Sequence, residues 1–395
     1  MQSSLDARIL ASREEKTPWI SLEGSNILSL QGTRVTPRAP HLLAKPPQRI
    51  LVIRLGAVGD LVRTLPAVDR LRQTWPEARI AWAVEKHTAP LILGHPVVDE
   101  WIILDRDKVK EDARGMRPAA MGRIMEFARA MREFRPDVAI DFQGCFKSGL
   151  AAALSRAPVR VGFRKEHVRE SSHLFYNRRV SLEQRDEHRV LRALALVRAI
   201  GAEGSPARVD LALRPSEREQ VGRTFEQLTG GRQTVALAPF SSHRQAWKRY
   251  PEERWSEIAR ELSGEGYCVL ILAGPGEEAE ARAIAEKGGP LVRVAEGVEL
   301  RQLAALLERC SLLIGGDTGP MHIAWGVGTP VIALYGPTDP VLNAPFGEGH
   351  VSLHPDMRTG RSDEDRFPGI TSSLVVSRAR TLLDRYPREA VSTVS

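Results

Sequence analysis

The chain has few cysteines and no long apolar run. Its three cysteines, Cys145, Cys268 and Cys310, stand far apart, without the close spacing of a metal site or the even number of a disulfide framework. No apolar stretch approaches the roughly 20 residues of a membrane span. The first residues carry charges with no apolar segment behind them, so we expect no signal peptide and a cytoplasmic protein. These features argue against a cysteine-held zinc site, a disulfide scaffold and an integral membrane protein.

Several catalytic and cofactor motifs are also missing. The first glycine turn, Gly56-Ala57-Val58-Gly59, lacks the close pair and the later glycine of the dinucleotide fingerprint GxGxxG. No GxSxG elbow supports a Ser/His/Asp hydrolase, and no acidic pair or His/Asp/Glu cluster has metal-ligand spacing. The sequence therefore predicts neither a metal nor a cofactor. Glu85, at the end of a predicted strand, still leaves a nicotinamide-dependent oxidoreductase open as an alternative.

Basic residues are concentrated in one part of the chain. Lys and Arg outnumber Asp and Glu by 56 to 49, which gives a net charge of +7. Such a field would attract an anionic substrate, a nucleic acid or an acidic membrane surface, although a solvated helix face explains any single residue. The concentrated residues are Arg106, Lys108, Lys110, Arg114, Arg117, Arg123, Arg129, Arg132, Arg135, Arg156, Arg160, Arg164, Lys165 and Arg169.

Strand-length apolar runs alternate with helical patterns twice along the chain. The predicted strands cover residues 50–55, 78–84, 101–104 and 137–141, and then 234–238, 267–273, 311–314 and 331–335. This alternation predicts an α/β protein with two Rossmann-like, doubly wound domains that face each other across a cleft. The predicted parts are a poorly ordered leader (1–48), an N-terminal domain (49–209), a C-terminal domain (210–370) and a terminal helix with a tail (371–395).

Asp60 follows the first predicted strand and its glycines, where a helix begins. A carboxylate at this point would stand at the rim of the cleft, where it could take a proton from a hydroxyl nucleophile. A plain helix N-cap is the alternative, and for a lone aspartate it is the more common explanation.

Two segments of the second half predict an anion site. Asp317 and Thr318 follow a strand and lead into a helix, whose first free N–H groups would point at a ligand. Because a carboxylate repels a phosphate, we assign Asp317 to the hydroxyls of an attached sugar. His322, one turn further on, either touches the ligand or is a hydrogen-bonded structural histidine.

The second segment is the loop that contains Ser241, Ser242 and Lys248. Two hydroxyls and a cation past the end of a strand suit a diphosphate, because the lysine neutralises charge and the serines donate hydrogen bonds. A surface loop with an ordinary lysine is the alternative. Lys248 and a helix N-terminus could together stabilise a pyrophosphate leaving group without a metal.

Taken together, these blocks resemble the ADP-heptose:lipopolysaccharide heptosyltransferases of glycosyltransferase family 9. The resemblance runs from Arg49 through the terminal helix. Segments 82–85 and 174–179 are more similar to the enzymes that add the first inner-core heptose. The most specific blocks are residues 50–60 with Thr64-Leu65-Pro66-Ala67, Asp141-Phe142-Gln143-Gly144 with Lys147-Ser148, Gly316-Asp317-Thr318-Gly319 with His322, and residues 334–340.

This resemblance implies a GT-B fold that binds the acceptor on the N-terminal domain and the nucleotide sugar on the C-terminal domain. It implies inverting, metal-independent transfer of heptose from ADP-heptose, a substrate rather than a cofactor, to a Kdo sugar of the lipid A core. The implied catalytic residues are Asp60, as general base, and Lys248. The implied donor residues are Ser241, Ser242, Lys248, Glu277 or Glu278, Asp317, Thr318, Gly319 and His322. The expected acceptor-side residues are Gly59, which would shape the turn before Asp60, and Arg129, Arg132 and Arg164.

The implied partners are a nucleotide-sugar donor and an anionic glycolipid acceptor, Kdo-lipid A, with no nucleic acid. The basic N-terminal segment would then contact the cytoplasmic face of the inner membrane. Three alternatives stay open: a family 9 transferase that uses another nucleotide sugar or glycolipid, the oxidoreductase, and a non-catalytic module that binds sugar nucleotides.

Overall fold

The structure is a computed structural model that describes residues 19–23, 42–168, 170–182, 187–204, 209–355 and 365–387. Its strands are β1 (Trp19–Glu23), β2 (Arg49–Ile53), β3 (Arg79–Glu85), β4 (Glu100–Leu104), β5 (Val138–Asp141), β6 (Val159–Phe163), β7 (Arg178–Val180), β8 (Thr234–Ala238), β9 (Cys268–Leu272), β10 (Val292–Ala295), β11 (Leu312–Gly316), β12 (Val331–Leu334) and β13 (His350–Pro355). Its α-helices are α1 (Val58–Thr74), α2 (Arg106–Arg114), α3 (Ala119–Glu133), α4 (Phe146–Leu154), α5 (Arg189–Ala199), α6 (Pro215–Thr229), α7 (Glu252–Gly264), α8 (Glu278–Gly288), α9 (Leu300–Arg309), α10 (Gly319–Gly326), α11 (Pro340–Asn343) and α12 (Ser372–Arg385).

The strands form two sheets with helices between successive strands. The N-terminal sheet has the order β4-β3-β2-β5-β6-β7 and is parallel throughout. The C-terminal sheet has the order β1-β13-β12-β11-β8-β9-β10 and is parallel except for β1. In each sheet the order reverses beside a central strand, so the carboxyl ends of neighbouring strands open a crevice. The predicted doubly wound α/β fold is confirmed.

The segment that we predicted to be a poorly ordered leader (1–48) contains a strand. Trp19–Glu23 adds an antiparallel edge strand to β13, in the C-terminal sheet. The remainder of segment 1–41 lies outside the described residues. Strands β6, β7, β10 and β13 were also missed, because polar residues interrupt their apolar runs and periodicity alone does not distinguish such segments from loops.

Helices α1 and α10 bring the two sheets together. Gly326 on α10 packs so closely on α1 that a Cβ added there would lie 2.9 Å from a methyl carbon of Val62. We call the N-terminal sheet with its helices the N-terminal unit and the C-terminal sheet with its helices the C-terminal unit. The apolar core is continuous across this contact, since one cluster contains Leu65 of α1, Leu91 of the N-terminal unit and Met321 of α10. At the other end of α10, a Cβ at Gly319 would lie 3.4 Å from a methyl carbon of Val58, so the beginnings of the two helices also lie side by side. In the described part of the chain, no helix has the length and apolarity to cross a membrane.

Candidate active site

Asp60 lies in the first turn of α1, directly after the carboxyl end of β2. The N-cap of this helix is Ala57, and Asp60 is its third residue, whose carboxylate accepts from the Ala57 N–H at 3.4 Å. The simple N-cap interpretation of Asp60 is therefore wrong. A carboxylate near a helix N-terminus is favoured by the helix dipole.

Arginines surround the carboxylate of Asp60. Arg54 and Arg63 each form an ion pair with one of its oxygens, and Arg189, at the start of α5, lies 3.9 Å away. Burial alone would raise the pKa of Asp60, but the three guanidinium groups together hold it far below its usual range. Asp60 is therefore ionised at every physiological pH.

Arg63 extends from this carboxylate to the C-terminal unit. Its Nη2 pairs with Asp60, while its Nη1 donates to Oδ1 of Asn343 at 2.9 Å and lies 3.2 Å from Nε2 of His322. Arg63 and Asn343 were not predicted as site residues. Arg54 could have been, because it is the one charged residue in the apolar run after Arg49. The contact between Arg63 and Asn343 could not, because the two residues are 280 positions apart and no local sequence pattern reflects it.

His322 is neutral and fully engaged. The indole N–H of Trp325 can only donate, and it donates to Nδ1 of His322 at 3.2 Å. The ring proton must therefore sit on Nε2, which lies 3.5 Å from Oδ1 of Asp317. Burial, reinforced by the charge of Arg63, lowers the pKa of His322 to about 4. The structure thus favours the structural-histidine alternative, in which the ring orients Asp317.

Asp317 and Lys248 meet at the carboxyl edge of the C-terminal sheet. The lysine Nζ lies 3.6 Å from Oδ2 of Asp317, and both side chains are largely buried. Burial raises the pKa of Asp317, but the hydrogen bond with His322 and the charge of Lys248 outweigh it and lower the pKa overall. The predicted proximity of these two residues is confirmed.

The helix after Asp317 begins without a side-chain cap. Thr318 is the N-cap of α10, but its hydroxyl makes no cap hydrogen bond and lies 3.4 Å from the Gly316 carbonyl. Pro320 has no N–H, so fewer donors point out of this helix end than in an ordinary helix. Gly319 instead faces α1, where a Cβ would lie 3.4 Å from a methyl carbon of Val58.

The two serines of the Lys248 loop differ in their surroundings. The hydroxyl of Ser241 is buried and donates to the Gln245 carbonyl at 2.9 Å, so it shapes the loop and its proton is not free for a ligand. Ser242 is exposed and makes no cap hydrogen bond. Lys248 ends the short 3-10 helix of this loop and lies 5.7 Å from the ring centroid of Trp247.

Of the two glutamates considered for ribose binding, Glu277 lies near Arg249, the residue that follows Lys248. It accepts from the Gly274 N–H at 2.9 Å and lies 3.6 Å from Arg249. Arg249 in turn donates to the Ser241 carbonyl at 2.6 Å. The carboxylate of Glu278 accepts from the N–H groups of Glu278 and Gly276, and these bonds lower its pKa. It is therefore already engaged at the start of α8.

Of the residues expected on the acceptor side, Gly59 has a different role from the one predicted, and Arg129 and Arg132 lie away from Asp60. Gly59 does not shape a turn, because it lies inside α1 and faces the C-terminal unit, where a Cβ would meet Cδ2 of His322 at 2.1 Å. Arg129 and Arg132 lie in the last turns of α3, which leads to the amino end of β5, away from Asp60. Arg129 pairs with Glu133 at 2.8 Å, and Arg132 donates to the Leu154 carbonyl at 2.9 Å.

Arg164 does lie at the correct edge, directly after β6, and its side chain is exposed. Glu85, which suggested a ribose site, is buried at the end of β3 and pairs with Lys147 at 2.7 Å and Arg106 at 3.3 Å. Its carboxylate is already satisfied, which removes the support for an oxidoreductase. In the described ranges, no three His, Cys, Asp or Glu side chains are grouped as a metal site would require.

The fold and this arrangement define a glycosyltransferase. The family model of glycosyltransferase family 9 (heptosyltransferase) matches residues 124–365, and the chain belongs to this family. It is 28% identical to lipopolysaccharide heptosyltransferase 1 of Salmonella typhimurium over 77% of this chain and 93% of the relative. It is 25% identical to the lipopolysaccharide core heptosyltransferase OpsX of Haemophilus influenzae over 77% of this chain and 84% of the relative.

Solved structures share the fold. A family 9 glycosyltransferase from Veillonella parvula has a TM-score of 0.73 at 23% identity and covers 86% of this chain and 97% of its own. The Escherichia coli heptosyltransferase WaaC with ADP has a TM-score of 0.71 at 23% identity, and the match covers 85% and 99% of the two chains.

Proposed function

We propose that this enzyme transfers heptose from ADP-heptose to a Kdo residue of the lipopolysaccharide inner core, with inversion and without a metal. Relatives named as lipopolysaccharide heptosyltransferases support the sugar and the pathway. The WaaC structure that contains ADP supports an adenine nucleotide donor. Another nucleotide sugar or glycolipid acceptor in the same family is the alternative.

The main support for this proposal is that a carboxylate of the N-terminal unit and a lysine of the C-terminal unit lie at the junction between the two units. An ionised carboxylate, Asp60, stands at the carboxyl edge of the N-terminal sheet, and the Lys248–Asp317 pair stands at that of the C-terminal sheet. Arg63 lies between them, since it pairs with Asp60 and donates to Oδ1 of Asn343 in the C-terminal unit. A transferase needs this arrangement, because the nucleophile and the leaving group must approach one anomeric carbon from opposite sides.

In the proposed reaction, Asp60 accepts the proton of the acceptor hydroxyl as that oxygen attacks the anomeric carbon. The bond between this carbon and the diphosphate oxygen breaks, its electron pair stays on the nucleotide diphosphate, and the anomeric configuration inverts. The positive charge of Lys248 stabilises the leaving diphosphate, and the first N–H groups of α10 contribute about 0.3–2 kcal/mol more. Asp317 is then placed to accept hydrogen bonds from sugar hydroxyls.

The proposed site of action is the cytoplasmic face of the inner membrane, where a lipid-linked acceptor would be presented. Arg164 is suited to its anionic groups, because it is exposed at the same sheet edge as Asp60. Arg129 and Arg132 lie at the opposite edge of this sheet, so the proposal assigns them no contact with the reacting sugar.

The test is mass-spectrometric detection of product from purified enzyme, ADP-heptose and Kdo-lipid A. We expect product with the wild type and, with Asp60→Asn, a loss of at least about 100-fold in kcat while ADP affinity is retained. The matched control is Asp69→Asn, an aspartate further along α1 whose carboxylate accepts from Gln73 in its own helix. Product from Asp60→Asn at the wild-type rate would refute the role of Asp60. Turnover with another donor sugar alone would favour the alternative.

A further inference from the structure

Arg63 makes polar contacts on both sides of the junction between the two units. It belongs to α1, and its Nη2 pairs with Asp60 three residues earlier in the same helix. Its Nη1 donates to Oδ1 of Asn343 at 2.9 Å. Asn343 is the last residue of α11, in the C-terminal unit. The side chain of Arg63 is only 9% exposed. One rigid planar group thus contacts both a carboxylate of one unit and the side-chain amide oxygen of Asn343 in the other.

The contact with His322 does not hold Arg63 in place. Because Trp325 occupies Nδ1 of the ring, Nε2 carries the proton, and a guanidinium N–H facing it at 3.2 Å meets a second donor. The attractive contact of Nη1 is therefore the amide oxygen of Asn343. It follows that the position of the C-terminal unit fixes the guanidinium plane of Arg63.

The other close arginine behaves differently. Arg54 also pairs with Asp60, but its Nη1 donates to the carbonyl of Phe142, within the N-terminal unit. The carboxylate of Asp60 is thus held by Arg54, which is fixed within the N-terminal unit, and by Arg63, which is also bound to the C-terminal unit. A shift between the units would displace Arg63 and leave Arg54 in place.

We propose that Arg63 is a positioning residue that sets the orientation of the Asp60 carboxylate according to the placement of the C-terminal unit. The inference rests on the proposed function, in which Asp60 is the base. It assigns to Arg63 no contact with substrate. The carboxylate of Asp60 would have the correct orientation only when the C-terminal unit packs against α1. Removal of the acceptor proton would then require that both halves of the site are in contact.

A change of charge at Arg63 also alters the electrostatics at Asp60. Removing this cation raises the pKa of Asp60 from its strongly lowered value, but Arg54 and Arg189 remain to lower it. The test therefore relies on kcat, KM and ADP binding. Among the described residues, the charged or titratable groups around this cluster include Arg54 after β2, His188 and Arg189 at the start of α5, His322 on α10, Tyr335 after β12, and Asp317 with Lys248 beyond it.

The experiment compares three variants in the full-length enzyme with ADP-heptose and the Kdo-lipid acceptor. Arg63→Gln should lower kcat by about 10- to 100-fold, since misplacement of a reacting group by about 1 Å has effects of this size, while the donor KM and the affinity for ADP stay near their wild-type values. Asn343→Ala removes the anchor and keeps the charge, and it should give the same pattern of lower kcat with unchanged KM. Arg63→Lys keeps the charge but not the planar group, so it should restore only part of kcat.

The matched control is Arg72→Gln, on the same helix. Arg72 also binds through several hydrogen bonds, to the carbonyls of Pro76 and Ala78 and to Asp99, but far along α1 from Asp60, and its loss should affect only stability. Circular dichroism and ADP titration verify folding. If Arg63→Gln behaves like Arg72→Gln, or if Asn343→Ala leaves kcat unchanged, the inference is overturned. Absence of product from the wild type would instead overturn the proposed function, and the inference with it.

Discussion

The contact between Gly59 and His322 gives the sharpest test of how the two units meet. A Cβ at position 59 would lie 2.1 Å from Cδ2 of His322, about 1.3 Å inside the 3.4 Å at which ordinary van der Waals contact begins. The imidazole cannot retreat, because it is buried and both of its nitrogens are engaged, by Trp325 and Asp317. Gly59→Ala must therefore push α1 and α10 apart.

This separation should cost about 1–3 kcal/mol, the usual range for overpacking a tight core. It should also displace Arg63 from Asn343 and lower kcat by roughly 10- to 100-fold. Urea unfolding and steady-state kinetics measure the two effects. The control is Gly122→Ala on α3, where an added Cβ meets nothing within 4 Å and alanine should stabilise the helix by up to about 1 kcal/mol.

If Gly59→Ala keeps both the wild-type kcat and the wild-type stability, the predicted separation of α1 and α10 is refuted, because the added methyl group cannot fit without moving one of the helices. A loss of stability of the same size in Gly122→Ala would show that glycine replacement in a helix, rather than the contact between units, is responsible. Loss of kcat with full stability would mean that the units separate without cost, and that the junction serves geometry alone.

Three further predictions concern charge. Lys248→Gln should weaken ADP binding about tenfold or more, as measured by calorimetry, because it removes a charge-assisted contact; unchanged affinity would contradict its role. Stability to urea should fall as the pH drops below 6.5, because burial lowers the pKa of His188 to about 3 and the unfolded chain takes up the proton first; the slope should be shallower in His188→Gln. Arg301→Gln loses hydrogen bonds to Glu217 and, in the other unit, to the Leu91 carbonyl. It should lower the free energy of unfolding by about 1–3 kcal/mol without changing kcat at 25 °C. An unchanged unfolding midpoint in urea would contradict a stabilising role for this contact.

Local patterns were sufficient where a segment is uniformly apolar or strictly periodic. Residues 234–238 and 300–309 were predicted with the bounds that the structure has, since one is a fully buried strand and the other an amphipathic helix. The strand His350–Pro355 was missed because histidine and serine alternate with its apolar residues, yet all of them are buried. Burial of polar side chains is a property of the packed sheet, and no window of sequence shows it.

The sequence by itself determined the fold class and the residues with suitable chemistry at the ends of strands, among them Asp60, Lys248 and Asp317. Strand ends in a parallel sheet gather at one edge, so this follows from periodicity and chain order. Only the tertiary structure decided the surroundings of Asp60, where Arg54, Arg63 and Arg189 lower its pKa, and the meeting of Arg63 with Asn343. Those contacts depend on how two helices from distant parts of the chain pack, which is fixed by the shape of the shared core and not by local propensity.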